Sequence, residues 1–96
     1  MKFDLAKNNG ELRVALEGRL DTVTAPEFES LLDENYDRNC FVVIDCEKLT
    51  YISSAGLRVL LGAQKKTKGE LKLVKVCELI MEVLEMTGFS DILVIE

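Results

Sequence analysis

One uninterrupted apolar run limits the folds open to this 96-residue chain more than any other feature. Residues 40–46 read CFVVIDC, and Asp45 is the only charged member of the run. A strand that is apolar on both faces is typical of the centre of a parallel sheet, because the helices that connect parallel strands cover its faces. We therefore expect this run to form a central strand. The chain length allows one small domain, which we place at residues 1–96.

Shorter patterns on either side of the run predict the remaining elements. Alternating apolar and polar residues predict strands, and the turn cluster Asn8-Asn9-Gly10 joins the first two as an antiparallel hairpin. Apolar residues at helical spacing predict three helices. The predicted strands are 2–7, 11–17, 40–46, 70–76 and 91–95, the predicted helices are 24–36, 54–67 and 78–86, and the loops of interest are 18–23 and 47–53.

The start of the first helix carries a local signal. Thr24 and Glu27 have the spacing of a capping box, in which the Thr24 side chain caps the helix and Glu27 reaches back from position N3. Pro26 falls in the first turn, where a helix needs no N–H donor. Val23 before the cap and Phe28 after it are spaced as a hydrophobic staple. These features predict a helix that opens at Thr24.

The order of the elements, β-β-α-β-α-β-α-β, predicts an α/β fold. It consists of a mixed, mostly parallel sheet with an N-terminal hairpin and three βα units, joined by right-handed crossovers. The first, second and fourth strands alternate in polarity, whereas the third does not. One face of the sheet is therefore expected to be open to water, with the helices mainly on the other face.

Composition excludes several kinds of function. The chain has no His, so neither a Ser-His-Asp nor a Cys-His catalytic site can form, and the commonest metal ligand is missing. The three cysteines, Cys40, Cys46 and Cys77, lack CxxC spacing, and their odd number argues against a disulfide framework. We expect small, buried, reduced thiols in a cytoplasmic protein that is not an enzyme and holds no metal and no cofactor.

The net charge limits the classes of partner that the chain can bind. Twelve basic and seventeen acidic residues give a net charge of −5, which makes nucleic acids and anionic membrane surfaces unfavourable. No apolar run approaches the roughly 18 residues that a membrane-spanning helix needs. We expect no nucleic-acid partner and no direct membrane binding.

The candidate site is the junction between the central strand and the second helix. Ser53 and Ser54 stand where a helix N-cap is required, and Gly56 follows in the first turn. The free N–H groups and the dipole of a helix N-terminus favour an anion, including a phosphoryl group carried on a serine. Open α/β sheets also place their sites at the carboxyl ends of their strands. A serine that only caps, a phosphorylated serine and a Ser-Lys catalytic dyad all stay open at this point.

Two segments of the chain resemble a known family. The run Ile52–Leu61, ISSAGLRVLL, and the run Gly18–Ala25, GRLDTVTA, resemble the two motifs of STAS domains of the anti-sigma factor antagonist type. The second run is similar to the family's Gly-x-Leu-Asp loop. Together with the hairpin and the three βα units, the resemblance covers essentially the whole chain and implies the STAS fold.

The resemblance implies a mechanism. Unphosphorylated members of the family bind an anti-sigma factor, a serine kinase of the histidine-kinase-like ATPase fold, and so free the sigma factor. The kinase phosphorylates the serine two residues before the motif's Gly, the complex dissociates, and a phosphatase resets the switch. The matching residue here is Ser54, with Ser53 as second choice. Ser53 stands where many members have Asp, so a hydroxyl replaces a charge.

The resemblance also implies a partner-binding surface on the two motifs. If Asp21 lies near Ser54, a phosphate on Ser54 meets a charge of the same sign. At about 5 Å and an effective dielectric near 20 this repulsion costs roughly 3 kcal/mol, enough to lower the affinity for a docked partner a hundredfold. For Leu57, a contact with the partner and a place in the core are both open. The expected surface residues are Asp21, Thr22, Ser53, Ser54, Gly56, Leu57, Arg58 and Leu61.

Two alternative functions lack a phosphoswitch. The chain could be a STAS subunit that docks on the ATPase of a membrane transport complex. It could also be a module that binds an anion or a nucleotide at the N-terminus of the second helix.

Overall fold

Five strands and three α-helices alternate along the chain in the order that the sequence predicts. The structure is a computed structural model that describes residues 1–96. Its elements are β1 (Lys2–Asn8), β2 (Glu11–Leu20), α1 (Ala25–Asn35), β3 (Phe41–Ile52), α2 (Ser54–Lys66), β4 (Leu71–Val74), α3 (Glu78–Met86), a 3₁₀ turn (Phe89–Asp91) and β5 (Val94–Ile95).

The strands form one sheet in the order β1-β2-β3-β4-β5, so β3 lies at its centre. β1 and β2 pair antiparallel as a hairpin, and the three remaining pairs are parallel. The predicted α/β class with a mixed, mostly parallel sheet is confirmed. The central position of the apolar run at residues 40–46 is confirmed as well.

The helices cover one face of this sheet. Leu12, Val42 and Leu71 lie side by side in register on neighbouring strands, and all three are buried. They belong to a single hydrophobic core that also contains Phe28 of α1, Leu60 of α2 and residues of α3. The expectation that the helices crowd one face is therefore confirmed.

The opposite face of the sheet carries charged side chains. The Asp45 carboxylate lies 3.2 Å from the Arg13 guanidinium and 4.0 Å from the Lys75 ammonium. Val43 on this face is only 1% exposed, and its neighbours in register are Arg13 and Lys72. The aliphatic stems of such long side chains can cover an apolar neighbour while their charges stay in water. This explains why β3 is apolar on both faces although helices cover only one.

Two strands extend further than the sequence predicts. The prediction of loops at 18–23 and 47–53 is wrong in part, because β2 continues to Leu20 and β3 to Ile52. The parallel ladder between these ends resumes after two register shifts, the second of them between Gly18 and Arg19. Such bulges interrupt the alternation of a strand, so the sequence pattern ends before the hydrogen-bonded ladder does.

The last two strands are shorter than predicted. β4 covers four residues of the predicted 70–76, and β5 covers two of the predicted 91–95. Lys75, immediately after β4, has a positive φ of 55°, which is incompatible with a continuing strand.

The predicted hydrophobic staple at the start of α1 does not form. Val23 is 75% exposed, whereas Phe28 is fully buried. The Phe28 ring stacks on that of Phe3 at a centroid distance of 6.1 Å. The hairpin strand β1 therefore supplies the contact that local spacing assigns to Val23.

Phe28→Ala should destabilise the fold by about 3–5 kcal/mol, since it removes a fully buried ring and leaves a cavity. Val23→Ala is the control, and its effect should stay within about 0.5 kcal/mol because that side chain is exposed. Urea unfolding followed by circular dichroism measures both free energies. Equal losses in the two variants would contradict the different environments of Phe28 and Val23.

Candidate functional site

The two predicted motifs meet because β2 and β3 end at the same edge of the sheet. Leu20 pairs with Ile52 in the parallel ladder, and the Ser53 N–H donates to the Leu20 carbonyl at 2.9 Å. The chain leaves β2 through Asp21 and leaves β3 through Ser53. The turn before α1 and the N-terminus of α2 are consequently neighbours.

Asp21 organises the turn before α1. Its carboxylate Oδ1 accepts from the backbone N–H groups of Val23 at 3.0 Å and Thr24 at 3.1 Å. In return, the Thr24 hydroxyl oxygen accepts from the Asp21 N–H at 2.8 Å and donates to the Arg19 carbonyl at 2.7 Å. This is the reciprocal pattern of a capping box, and the Ala25 N–H continues it by donating to the Asp21 carbonyl at 2.8 Å.

The capping box is therefore three residues earlier than the sequence pattern predicts. The Thr24 side chain does not cap α1, and Glu27 makes no hydrogen bond back to it, so the predicted Thr24–Glu27 box is wrong. Thr24 still directly precedes the first residue of α1, as predicted. Asp21 instead caps the turn that leads into the helix, because a carboxylate accepts two N–H bonds and its charge suits the positive end of a helix.

The same contacts fix the charge of Asp21. The hydrogen bond from the Thr24 N–H lowers the pKa of the Asp21 carboxyl below its ordinary value of 3.8. Partial desolvation opposes this shift, while the Val23 N–H, the Thr24 hydroxyl and the Arg19 guanidinium support it. Asp21 is thus a permanent negative charge on the turn at neutral pH.

The two serines at the start of α2 have different surroundings. Ser53 is the N-cap, and its hydroxyl oxygen accepts from the Gly56 N–H at 3.3 Å. Ser54 is the first residue of the helix; it is exposed, and its hydroxyl makes no hydrogen bond within the chain. Asp and Ser are equally good N-caps, so Ser53 retains the cap that the family's usual Asp can form.

Gly56 has a packing role. A Cβ on Gly56 would lie 2.8 Å from Leu20 Cγ and 3.0 Å from Ile52 Cγ1. The missing side chain lets the first turn of α2 press against the ends of β2 and β3. Gly56 is buried, and its place on the partner-binding surface stays a prediction.

The other predicted surface residues have three different environments. Leu57 is 6% exposed and belongs to the core, which is the second of its two open roles, and its contact with a partner stays a prediction. Thr22 and Arg58 are exposed and line a groove of about 300 Å³ between the N-termini of α1 and α2. Leu61 is half-buried and lies outside that groove.

Three residues near the site are absent from the predicted surface. The Arg19 guanidinium lies 4.0 Å from the centre of the Tyr51 ring and 3.8 Å from the Asp21 carboxylate. Arg19 and Tyr51 are register partners, and the preceding bulge hides that pairing from the sequence pattern. Val23 adds an exposed apolar side chain beside Asp21. Its position next to the Gly-x-Leu-Asp loop is the only sequence signal for it.

The cysteines lie away from this site. Cys40 and Cys46 are buried as expected, whereas Cys77 is exposed at the N-cap of α3. Burial, with smaller contributions from Asp45 and Cys77, raises the pKa of the Cys46 thiol to about 12. No cluster of three or more Cys, Asp or Glu side chains has the arrangement of a metal site. None of the three helices has both the length and the apolar character needed to cross a bilayer.

Comparisons with known proteins agree with this architecture. The family model described as the STAS domain matches residues 2–96. The chain belongs to the STAS domain family. This STAS domain is 38% identical to BtrV of Bordetella bronchiseptica, assigned as an anti-sigma factor antagonist, over 96% of this chain and 83% of that protein. It is 28% identical to the anti-sigma-B factor antagonist of Bacillus subtilis, over 97% of this chain and 88% of the relative.

Solved structures of the anti-sigma factor antagonist SpoIIAA share the fold. The unphosphorylated form superposes with a TM-score of 0.80 at 14% identity, over 99% of this chain and 88% of that one. The phosphorylated Bacillus form gives a TM-score of 0.73 at 15% identity, over 99% and 91% of the two chains. At these identities the likeness concerns the fold, which is the same STAS fold in both forms.

Ser53→Ala should lower the free energy of unfolding by about 0.5–2 kcal/mol, because it removes the side-chain cap of α2. Ser53→Asp should keep the cap, and Ser54→Ala should cost less than about 0.5 kcal/mol because that hydroxyl is unbonded. Guanidinium unfolding of the three variants measures these differences. A larger loss in Ser54→Ala than in Ser53→Ala would show that the cap is wrongly assigned.

The charge of Asp21 predicts a pH dependence. A carboxyl whose pKa is lowered by folding stabilises the folded state above its unfolded pKa, and this contribution is lost as the pH falls through the folded pKa. Asp21→Asn keeps an acceptor but lacks the charge. The stability gap between wild type and this variant should therefore be present at pH 7 and shrink below about pH 4. Paired unfolding curves at pH 7 and pH 3 test this, and a gap independent of pH would contradict it.

Proposed function

We propose that this STAS domain is an anti-sigma factor antagonist switched by phosphorylation of Ser54. While Ser54 is unmodified, the domain binds an anti-sigma factor that is a serine kinase of the histidine-kinase-like ATPase fold. Phosphorylation dissociates the complex, and a phosphatase restores binding. The domain acts in the cytoplasm as a binding module and not as an enzyme.

The observation that carries this proposal is the state of the Ser54 hydroxyl. It is exposed and unbonded at the first position of α2, whereas the neighbouring Ser53 hydroxyl is engaged as the cap. A phosphoacceptor has to reach a kinase without losing a structural bond. Ser54 meets that condition, and Ser53 does so only at the expense of the cap.

Phosphoryl transfer changes the charge of this surface. A bond forms between the Ser54 oxygen and the γ-phosphorus of ATP, the bond from that phosphorus to the leaving ADP oxygen breaks, and the hydroxyl proton passes to the kinase's base. The product adds about −1.5 to −2 charges at neutral pH. The N-terminus of α2 tolerates them because its dipole favours negative charge. A partner that docks against ionised Asp21 then meets a second, larger charge of the same sign.

The relatives support this function over its alternatives. BtrV and the Bacillus subtilis relative are both named as anti-sigma factor antagonists, and the aligned region covers 83% and 88% of their respective lengths. The groove between α1 and α2 is lined by Ala55, the residue after Ser54, and offers a surface for a protein partner. No feature of the chain favours a transport complex or a nucleotide in the same way.

Ser54→Asp should weaken binding to the anti-sigma factor of the same organism by about tenfold or more, because a permanent negative charge then lies beside Asp21. Ser54→Ala should change the Kd by less than about threefold, since it adds no charge. Neither substitution removes the α2 cap, and the helix dipole favours the added carboxylate, so the Asp variant should melt at or above the temperature of the Ala variant. Isothermal titration calorimetry measures the three Kd values, and equal weakening by Ala and Asp would contradict a charge-based switch.

Phosphate mapping separates the two serines. Incubation with the purified anti-sigma factor and ATP, followed by mass spectrometry, should place the phosphate on Ser54 and find none on either Ser54 variant. Phosphate on Ser53 would contradict the residue assignment while leaving a serine switch in place. Wild type that neither binds the anti-sigma factor nor is phosphorylated by it would overturn the proposed function.

A further inference from the structure

A furrow runs along the surface between α1 and α2 and begins at Ala55, the residue after Ser54. Its near end is the groove of about 300 Å³ that Thr22 and Arg58 line. Its far end, lined by Tyr36 and Lys66, has a volume of about 140 Å³. Both ends include Glu29 and Val59, so the furrow is continuous. Each helix contributes one face to the far end, at positions spaced i, i+3, i+4 and i+7, from Glu29 to Tyr36 on α1 and from Val59 to Lys66 on α2.

Gly62 lies in this furrow without a structural reason for being glycine. Glycine inside a helix is less favourable than alanine because it loses more backbone freedom on folding. At Gly56 the nearby Leu20 side chain explains the choice, but a Cβ on Gly62 would meet nothing within 4 Å. Gly62 also has no positive φ. Its missing side chain serves no contact within the chain, and it keeps the middle of the furrow open.

The two helices that border the furrow have opposite charge. α1 contains acidic residues and no basic ones, and α2 contains basic residues and no acidic ones. Asp33 and Lys66 pair with each other across the far end. Glu29 of α1 and Arg58 of α2, nearer to Ser54, have no ion-pair partner in the chain. The open part of the furrow therefore presents an unpaired acid on one side and an unpaired base on the other.

We propose that this furrow receives an amphipathic helix of the anti-sigma factor, an inference that rests on the proposed function. The helix lays an apolar ridge over Val59 and Gly62, with a basic side chain toward Glu29 and an acidic one toward Arg58. The eleven residues of α1, 25–35, span about 16 Å, which accommodates roughly three helical turns of the partner. Arg58 lies one turn after Ser54 on α2, so the furrow is continuous with the proposed switch surface.

Charge argues against a second copy of this chain as the occupant. The helix with exposed apolar side chains is α3, where Leu79 is 60% and Met86 is 82% exposed. α3 carries Glu78, Glu82 and Glu85 and no basic residue. In the furrow these carboxylates would face Glu29 and the other acids of α1. A partner helix with both signs of charge fits the two walls, whereas α3 does not.

Substitutions at Gly62 test the furrow independently of folding. Gly62→Ala should raise the melting temperature by about 4–8 °C, since it removes the glycine penalty and a Cβ meets nothing there. Gly62→Leu should fold at least as well as wild type but fill the furrow. We expect it to weaken the Kd for the purified anti-sigma factor by about tenfold or more, measured by calorimetry. Greater stability with weaker binding excludes misfolding as the cause.

Ser30→Leu is the matched control. Ser30 is exposed on α1, outside the furrow, and its side chain makes no hydrogen bond, so the same leucine side chain is introduced there without a change of charge. Its Kd should stay within about twofold of wild type. Equal weakening by Ser30→Leu and Gly62→Leu would overturn the furrow assignment.

The remaining outcomes separate this inference from the proposed function. Wild-type binding with an unchanged Kd for Gly62→Leu would overturn the furrow inference and leave the anti-sigma factor antagonist function intact. Absence of wild-type binding would overturn both. A dimer in light scattering that Gly62→Leu converts to a monomer, with no change in the Kd for the anti-sigma factor, would assign the furrow to a second copy and contradict the proposal.

Discussion

The parallel pairing of the ends of β2 and β3 determines the whole site. The hydrogen bond from the Ser53 N–H to the Leu20 carbonyl is the last rung of that pairing, and both functional segments leave the sheet directly after it. Without this extension, Asp21 and Ser54 would belong to two unrelated loops. With it, the turn before α1 and the first turn of α2 form one surface whose geometry is fixed by the sheet.

Structural and exposed roles are divided among adjacent residues of this surface. Asp21 and Ser53 satisfy backbone N–H groups, and Gly56 allows α2 to approach Leu20. Asp21 and Ser53 satisfy donors that the helix ends would otherwise leave open, and the missing side chain of Gly56 permits close packing. The Ser54 side chain makes none of these structural contacts. A residue can be modified without damage to the fold when its neighbours already carry the structural contacts.

The sequence predicts an element well where its pattern is local. It predicts less well where tertiary contacts determine the ends of the element or the partners of a side chain. The two-sided apolar run at residues 40–46 identifies the central strand because its signal depends on no other segment. The extension of β2 to Leu20 is missed because bulges interrupt its alternation. The capping box is misplaced because Thr24 and Asp21 are both good N-caps, and only the path of the chain after β2 decides between them. Arg19 and Tyr51 meet only through sheet register, which one sequence does not show.

Gly56 lets the first turn of α2 pack closely against Leu20 and Ile52. The position of Ser54 is therefore fixed by the packing of the core, and Ser54 does not lie on a loop. A kinase that acts on Ser54, as proposed, consequently has to recognise a folded surface formed by two segments that are distant in sequence. A short peptide around Ser54 would lack both the helix and the Asp21 turn. Misfolded copies would lack them too, so under the proposed function only correctly folded molecules would be substrates of the kinase.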